Sequence, residues 1–218
     1  MEIAILLFDR FTALDAVGPY EVLSRIGSVR FVGTETGPVR TDNGMLALSA
    51  DATLAEVGAP DVVVVPGGPG QTEQMTDGPV HEWLRAVDAG STWTTAVCTG
   101  SLVLAAAGLL RGRRATSHWL ATDQLPRYGV TPTDERVVVD GKYVTAAGVS
   151  AGIDMGLALA ARIAGEDAAR TVQLGIEYDP QPPFDAGSPH TAPAEIVERL
   201  RANSRFVLTG DAEQTGSA

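Results

Sequence analysis

The stretch Thr92-Trp93-Thr94-Thr95-Ala96-Val97-Cys98-Thr99-Gly100-Ser101-Leu102-Val103-Leu104 decides how this chain folds. Up to Val97 it is short, β-branched and aromatic, which predicts a buried strand. From Gly100 to Gly108 it is small and helix-prone, which predicts a helix. Cys98, the only cysteine of the chain, therefore stands where a strand turns sharply into a helix. Such a turn presents the side chain at the carboxyl end of a sheet, and the helix N-terminus behind it favours a thiolate. Nucleophile elbows of other α/β enzymes have this geometry, with serine where this chain has cysteine. The competing local reading is a buried, inert thiol.

Outward from the elbow, other segments alternate in the same way. Ile3 to Phe8 and Asp61 to Val65 are continuous apolar runs, the signature of strands buried on both faces of a parallel sheet. Ser28 to Gly33 reads as another strand. Glu35 to Arg40 reads as a turn, Thr41 to Ser49 as a short strand or hairpin around Asn43-Gly44, and Ala52 to Val57 as a helical turn. Pro79 to Ala89 is an amphipathic helix with Val80, Trp83, Leu84 and Val87 on its stripe, and His81 falls outside it, toward solvent. Arg111 to Arg114 reads as a basic end to the helix after the elbow. Trp119 to Leu125 reads as a helix that ends at Pro126. Val130 to Thr133 and Arg136 to Val139 read as strands, and Asp140-Gly141 as the turn of a hairpin that returns through Tyr143 to Ala146. Ser150 to Ile163, with Ile153, Leu157 and Ala160 on one face, Glu166 to Ile176, and Ala194 to Ser204 complete the helices. Glu177 to Asp185 is proline-rich and extended.

This alternation predicts a doubly wound α/β sandwich, a mostly parallel sheet flanked by helices. Ligands bind such folds at the carboxyl ends of the strands. Three loops converge there. One carries Asp15, which on local grounds is also an ordinary first-turn carboxylate. The second is Pro66-Gly67-Gly68-Pro69-Gly70. By itself it is a tight turn, and beside a cysteine elbow it is a source of oxyanion-hole donors from the Gly67 and Gly68 N–H groups. It lacks the lysine and the hydroxyl residue of a phosphate loop. The third loop carries Cys98. His118, twenty residues after Cys98, is by itself a packed polar residue beside Trp119, and it could approach Cys98.

The bulk numbers set outer bounds. With 218 residues the chain fits one domain, expected over 1–205, followed by a flexible tail over 206–218. A net charge of −11 without basic runs argues against nucleic acid and anionic membranes as partners. One cysteine excludes an internal disulfide and a cysteine-rich metal site. The start lacks a signal-peptide pattern, and the apolar run Leu102 to Leu110 is too short to span a bilayer, so a cytoplasmic protein is expected.

The pieces Leu14-Asp15-Ala16-Val17-Gly18-Pro19, Pro66-Gly67-Gly68, Val97-Cys98-Thr99-Gly100 and Ala115-Thr116-Ser117-His118-Trp119 together resemble the DJ-1/PfpI superfamily. The resemblance extends from about Ile3 to Arg201. Cys98-Thr99-Gly100 and the segment Glu177 to Asp185 resemble its isonitrile hydratase branch. It implies a flavodoxin-like sandwich, a homodimer with the nucleophile near the interface, and hydration of an isocyanide to an N-substituted formamide. Cys98, Asp15 and Thr99 would be catalytic, and Gly67, Gly68 and His118 would bind oxyanion or substrate. No metal or organic cofactor is implied, the resemblance leaves the side group of the isocyanide open, and an apolar pocket would suit cyclohexyl- or aryl-like groups. Protease-like and chaperone-like members carry histidine directly after the nucleophile, where this chain has Thr99. No helix-turn-helix domain is read after residue 200, unlike the related transcription regulators. Glyoxalase- or deglycase-like chemistry on small aldehydes, a cysteine-based redox sensor and a plain binding domain are the alternatives.

Overall fold

The computed structural model describes residues 1–204, and the tail expected over 206–218 lies outside them. In chain order the strands are β1 Glu2–Leu6, β2 Ser28–Gly33, β3 Gly37–Arg40, β4 Ala47–Ala50, β5 Ala52–Thr53, β6 Val62–Val65, β7 Trp93–Val97, β8 Arg114–Ala115, β9 Thr131–Pro132, β10 Val137–Asp140 and β11 Tyr143–Ala146. The helices are α1 Ala13–Leu23, α2 Pro79–Asp88, α3 Gly100–Ala106, α4 Ala151–Ala164, α5 Glu166–Gly175 and α6 Ala194–Ala202.

Seven strands form the central sheet in the order β10-β11-β7-β6-β1-β2-β5. All its pairings are parallel except β10 with β11. Continuous apolar runs became the interior strands because both faces are covered. All four valines of β6 are fully buried. Helices α1, α4 and α5 pack in sequence on one another, while α3 packs on β6 and β7 and against α2. The chain first runs from β1 to β2, then returns past β1 to lay down β6, β7 and β11. The carboxyl ends of β1, β6 and β7 therefore meet where the winding direction reverses, the usual ligand crevice of such sheets.

Several local expectations are corrected. Within Glu35 to Arg40, read as a turn, Gly37–Arg40 is a strand paired antiparallel with β4, because Val39 packs onto the core. Ala52–Thr53 is an edge strand, and only Leu54–Glu56 forms a helical turn, capped reciprocally by Thr53 and Glu56. His81 is buried, not exposed. A 3₁₀ turn over Pro69–Gln74 folds across it, and its Nε2–H donates to the Gln74 carbonyl at 2.7 Å. The helix expected over Trp119 to Leu125 is a 3₁₀ segment, Thr122–Tyr128, that runs through Pro126. Helix α3 ends before the basic cluster, whose Arg113 and Arg114 instead reach Asp140 and Glu135. In the β10–β11 hairpin Asp140 pairs with Tyr143, so Gly141 and Lys142 make the turn. Helix α4 buries Met155 and Leu159 against the main core, and Ile153 and Leu157 pack toward α1 and α5.

Candidate active site

Cys98 follows β7 with φ +57°, the left-handed region that L-residues avoid. A cysteine held there is a strained elbow. Its amide N–H donates to two carbonyls of the neighbouring strand end, Ala146 at 3.1 Å and Ala147 at 2.9 Å. Helix α3 begins immediately afterwards. It can do so only because residue 100 has no side chain, since a Cβ there would lie 2.1 Å from the Val65 carbonyl oxygen. Gly67 is constrained in the same way, with a Cβ placed 2.5 Å from the Thr99 nitrogen. The two glycines let the ends of β6 and β7 meet backbone to backbone.

Asp15 lies in the first turn of α1 and is fully buried. Its place is fixed by two reciprocal bonds. The Thr12 N–H donates to the Gly67 carbonyl at 2.9 Å, and the Gly67 N–H donates to Asp15 Oδ2 at 2.9 Å. Oδ1 is buried and accepts no hydrogen bond from another nitrogen or oxygen. The Cys98 thiol is the neighbour that acts on this carboxyl, pulling its titration down. Burial pushes Asp15 up to about 7, against the downward pull of the Gly67 N–H and the thiol, and the charge of Asp42 adds to the rise.

The sulfur differs from its sequence-based expectation. Burial pushes the Cys98 thiol well above its ordinary value, and the charge of Asp15 adds to the rise. The N–H groups of Thr99 and Val149 face the sulfur and pull the other way. The seven-residue helix α3 does not outweigh desolvation. The resting pair above neutral pH is therefore a thiol beside a carboxylate, sharing one proton.

The glycine amides also have different partners from those expected. Gly67 N–H serves Asp15, and Gly68 N–H donates to Thr99 Oγ1 at 3.0 Å. They position the acid and the threonine, and the amides facing the sulfur are those of Thr99 and Val149. Sequence reading missed Val149. Its signal was the β11-to-α4 turn at Gly148, a fourth loop at the same end of the sheet. As a donor the Thr99 hydroxyl makes only a 3.5 Å contact with the Gly68 carbonyl.

A cavity of about 620 Å3 lies beyond the buried pair, bounded by Leu14, Ser117, His118, Ala147 and Val149, and neither Cys98 nor Asp15 lines it. It is not wholly apolar. Thr122, Thr133, Asp134, Arg136, Ser188 and His190 add a polar wall, because loops and the segment Gly187 to His190 build it. Arg201, also in the wall, lies 5.7 Å from the centre of the Trp119 ring. His118 faces this cavity, its Nδ1 accepting the Leu120 N–H at 3.2 Å. Burial pulls it down to about 4, so it stands as a neutral imidazole at pH 7.

The elbow, the buried acid and the glycine turn cluster within the span matched by one family's sequence profile, residues 1–162, described as the DJ-1/PfpI family. The chain belongs to the DJ-1/PfpI family. Among curated DJ-1/PfpI relatives, the isonitrile hydratase of Pseudomonas putida is 44% identical over 92% of this chain and 89% of its own. The HTH-type transcriptional regulator CdhR of Pseudomonas aeruginosa is 35% identical over 88% of this chain, which spans 56% of that regulator. A THiJ/PfpI family crystal structure from Pseudomonas syringae superposes with a TM-score of 0.91 at 36% identity, covering 96% of this chain and 90% of that one. The flavodoxin-like DJ-1/PfpI sandwich implied by the sequence is the fold observed. Among the described residues no helix is long and apolar enough to cross a membrane.

Proposed function

We propose that this DJ-1/PfpI protein is an enzyme that hydrates isocyanides to N-substituted formamides, with Cys98 as nucleophile and Asp15 as proton carrier. The observation that carries the proposal is the buried Asp15–Cys98 pair at the strained elbow. Similarity over most of both chains to an isonitrile hydratase supports the reaction class.

An isocyanide carbon accepts a soft nucleophile and a proton at the same atom. Sulfur attacks that carbon while the thiol proton passes through the Asp15 carboxylate to the carbon, which gives a thioimidate. The N–H groups of Thr99 and Val149 stabilise negative charge on sulfur during attack. Water then adds to the thioimidate carbon. Asp15 takes one water proton, the other passes from the adduct's hydroxyl to nitrogen as the carbonyl forms, and the carbon–sulfur bond breaks. The formamide leaves, and the proton held by Asp15 returns to sulfur. One isocyanide and one water enter and one formamide leaves, with Cys98 and Asp15 restored. Thr99 orients the water through its hydroxyl, while Gly67 and Gly68 hold Asp15 and Thr99 in place. His118, as a neutral imidazole, contacts the side group of the substrate. The polar wall favours side groups that hydrogen-bond, beyond plain cyclohexyl. Residues 1–205 act as one domain, and a homodimer in the cytoplasm, whose reducing conditions keep the thiol free, completes the reading.

The test is turnover of cyclohexyl isocyanide and of ethyl isocyanoacetate to their formamides, with methylglyoxal consumption in parallel. Formamide production that vanishes in Cys98→Ala is the expected result. Cysteine-dependent loss of methylglyoxal without formamide would replace the reading with aldehyde chemistry.

A further inference from the structure

We propose that Ser117, together with Ser101, is the positioning residue of the nucleophile. The Cys98 carbonyl accepts two hydroxyl hydrogen bonds, from Ser117 Oγ at 3.0 Å and from Ser101 Oγ at 3.1 Å. Both serines are buried. Ser101 belongs to the first turn of α3. Ser117 comes from the loop after β8 and forms part of the cavity wall.

This double acceptance matters because of the peptide unit to which the carbonyl belongs. The Cys98 C=O and the Thr99 N–H are opposite ends of one planar group. Holding the oxygen end therefore aims the N–H end, and that N–H faces the Cys98 sulfur. Two hydroxyl donors also polarise the amide and strengthen its N–H as a donor. The other side of the residue is held by the bonds from the Cys98 N–H to Ala146 and Ala147. A residue at φ +57° would relax unless held from both sides. Ser117 never touches the substrate carbon. It acts through the backbone of Cys98 and Thr99, and it links the cavity wall to the donor that steadies sulfur.

Either serine can be removed without orphaning the carbonyl, since the other still donates to it. The roles therefore overlap in part: each single variant loses one of two donors, and the double variant, which loses both, should lose more than the two single losses combined. The proposal rests on Cys98 being the reacting thiol, and the experiment separates the two ideas. Ser117→Ala, Ser101→Ala, the double variant and Ser117→Thr are compared for kcat and KM with cyclohexyl isocyanide. The ultraviolet absorbance of the thiolate is titrated with pH for each, with Cys98→Ser as the blank. Because the chain has one cysteine, that signal reports Cys98 alone.

In Ser117→Ala kcat should fall about 10-fold, less than the roughly 100-fold that outright loss of a donor costs. KM should stay within about two-fold. The thiolate should appear at higher pH than in the wild type, and Ser117→Thr should restore both readouts. An unchanged titration and unchanged kcat in Ser117→Ala overturn the proposal, and so does a change confined to KM. If the double variant fails to fold, the single variants decide. If the wild type makes no formamide, the hydratase reading falls, while the titration still decides the role of Ser117.

Discussion

The two ends of β7 each hold a buried aspartate, and the two are supplied with donors very differently. At the amino end, Asp88 accepts the Thr94 hydroxyl at 2.6 Å and the Tyr143 hydroxyl at 3.0 Å, and it pairs with Lys142 at 3.1 Å. Ser91 and Thr94 bond each other beside it. At the carboxyl end, Asp15 accepts one amide N–H, has the Cys98 thiol as a neighbour, and keeps a buried oxygen without a hydrogen-bond partner among the described residues. A carboxyl bonded by a cation and two hydroxyls ties α2 to the sheet. A carboxyl buried with too few donors is held near neutrality and can exchange a proton during a reaction. Complete burial, offset by few donors, distinguishes the chemical acid from the structural one.

The largest effect expected at the chemical end is loss of all measurable formamide production in Cys98→Ala. Asp15→Asn should come next, with turnover down about 1,000-fold, as for removal of a proton-transfer group. Its stability should move in the opposite direction. The carboxyl of Asp15 sits near 3.8 when unfolded and at about 7 when folded. Between those values the folded protein binds more protons, so wild-type stability falls as pH rises from about 4 to about 7. Asparagine keeps the Gly67 bond and removes the titration. The variant should therefore be more stable than wild type at pH 8, on the order of a few kcal/mol, and the gain should shrink toward pH 4. Chemical denaturation at both pH values reads this, and an equal difference at both would break the comparison.

Asp88→Asn should show the reverse pattern. Loss of the charge facing Lys142 should cost about 1–3 kcal/mol with turnover intact. Loss of activity at full stability would place Asp88 in the chemistry and erase the distinction. The smallest effect is a pH limb. The singly protonated pair forms as Asp15 loses its proton, so kcat/KM should rise through about pH 7 and level off above it, and this limb should be absent from the residual activity of Asp15→Asn.

Much of the fold was legible because parallel strands covered on both faces must be apolar without interruption, as in Ile3 to Leu6 and Val62 to Val65. The elbow was legible because the change from β-branched to small residues falls at Cys98 itself. What the sequence did not disclose was decided by tertiary partners. Backbone amides have no letter code, so nothing in Pro66-Gly67-Gly68 tells that its amides serve Asp15 and Thr99, or that Val149 supplies one that faces the sulfur. His81 looked exposed because its burial depends on a 3₁₀ turn that no helical stripe foretells. The thiolate expected from the helix N-terminus failed because desolvation is set by everything packed around Cys98. The strand Gly37–Arg40 is short and begins Gly-Pro, so it carried a turn's composition.

The cavity wall formed by Gly187 to His190 has one more consequence. Its bonds close on themselves, with the His190 N–H donating to Ser188 Oγ and the Thr191 and Ala192 N–H groups to the Ser188 carbonyl. The elbow, by contrast, is tied to the ends of β7 and β11 and to α3. One part of the cavity wall thus stands apart in the chain from the elbow, although Ser117, His118 and Val149 belong to both neighbourhoods. Insertions or exchanges in the late segment can retune which side groups are accepted while the sheet-borne chemistry stays as it is, and that segment is the place to begin directed diversification.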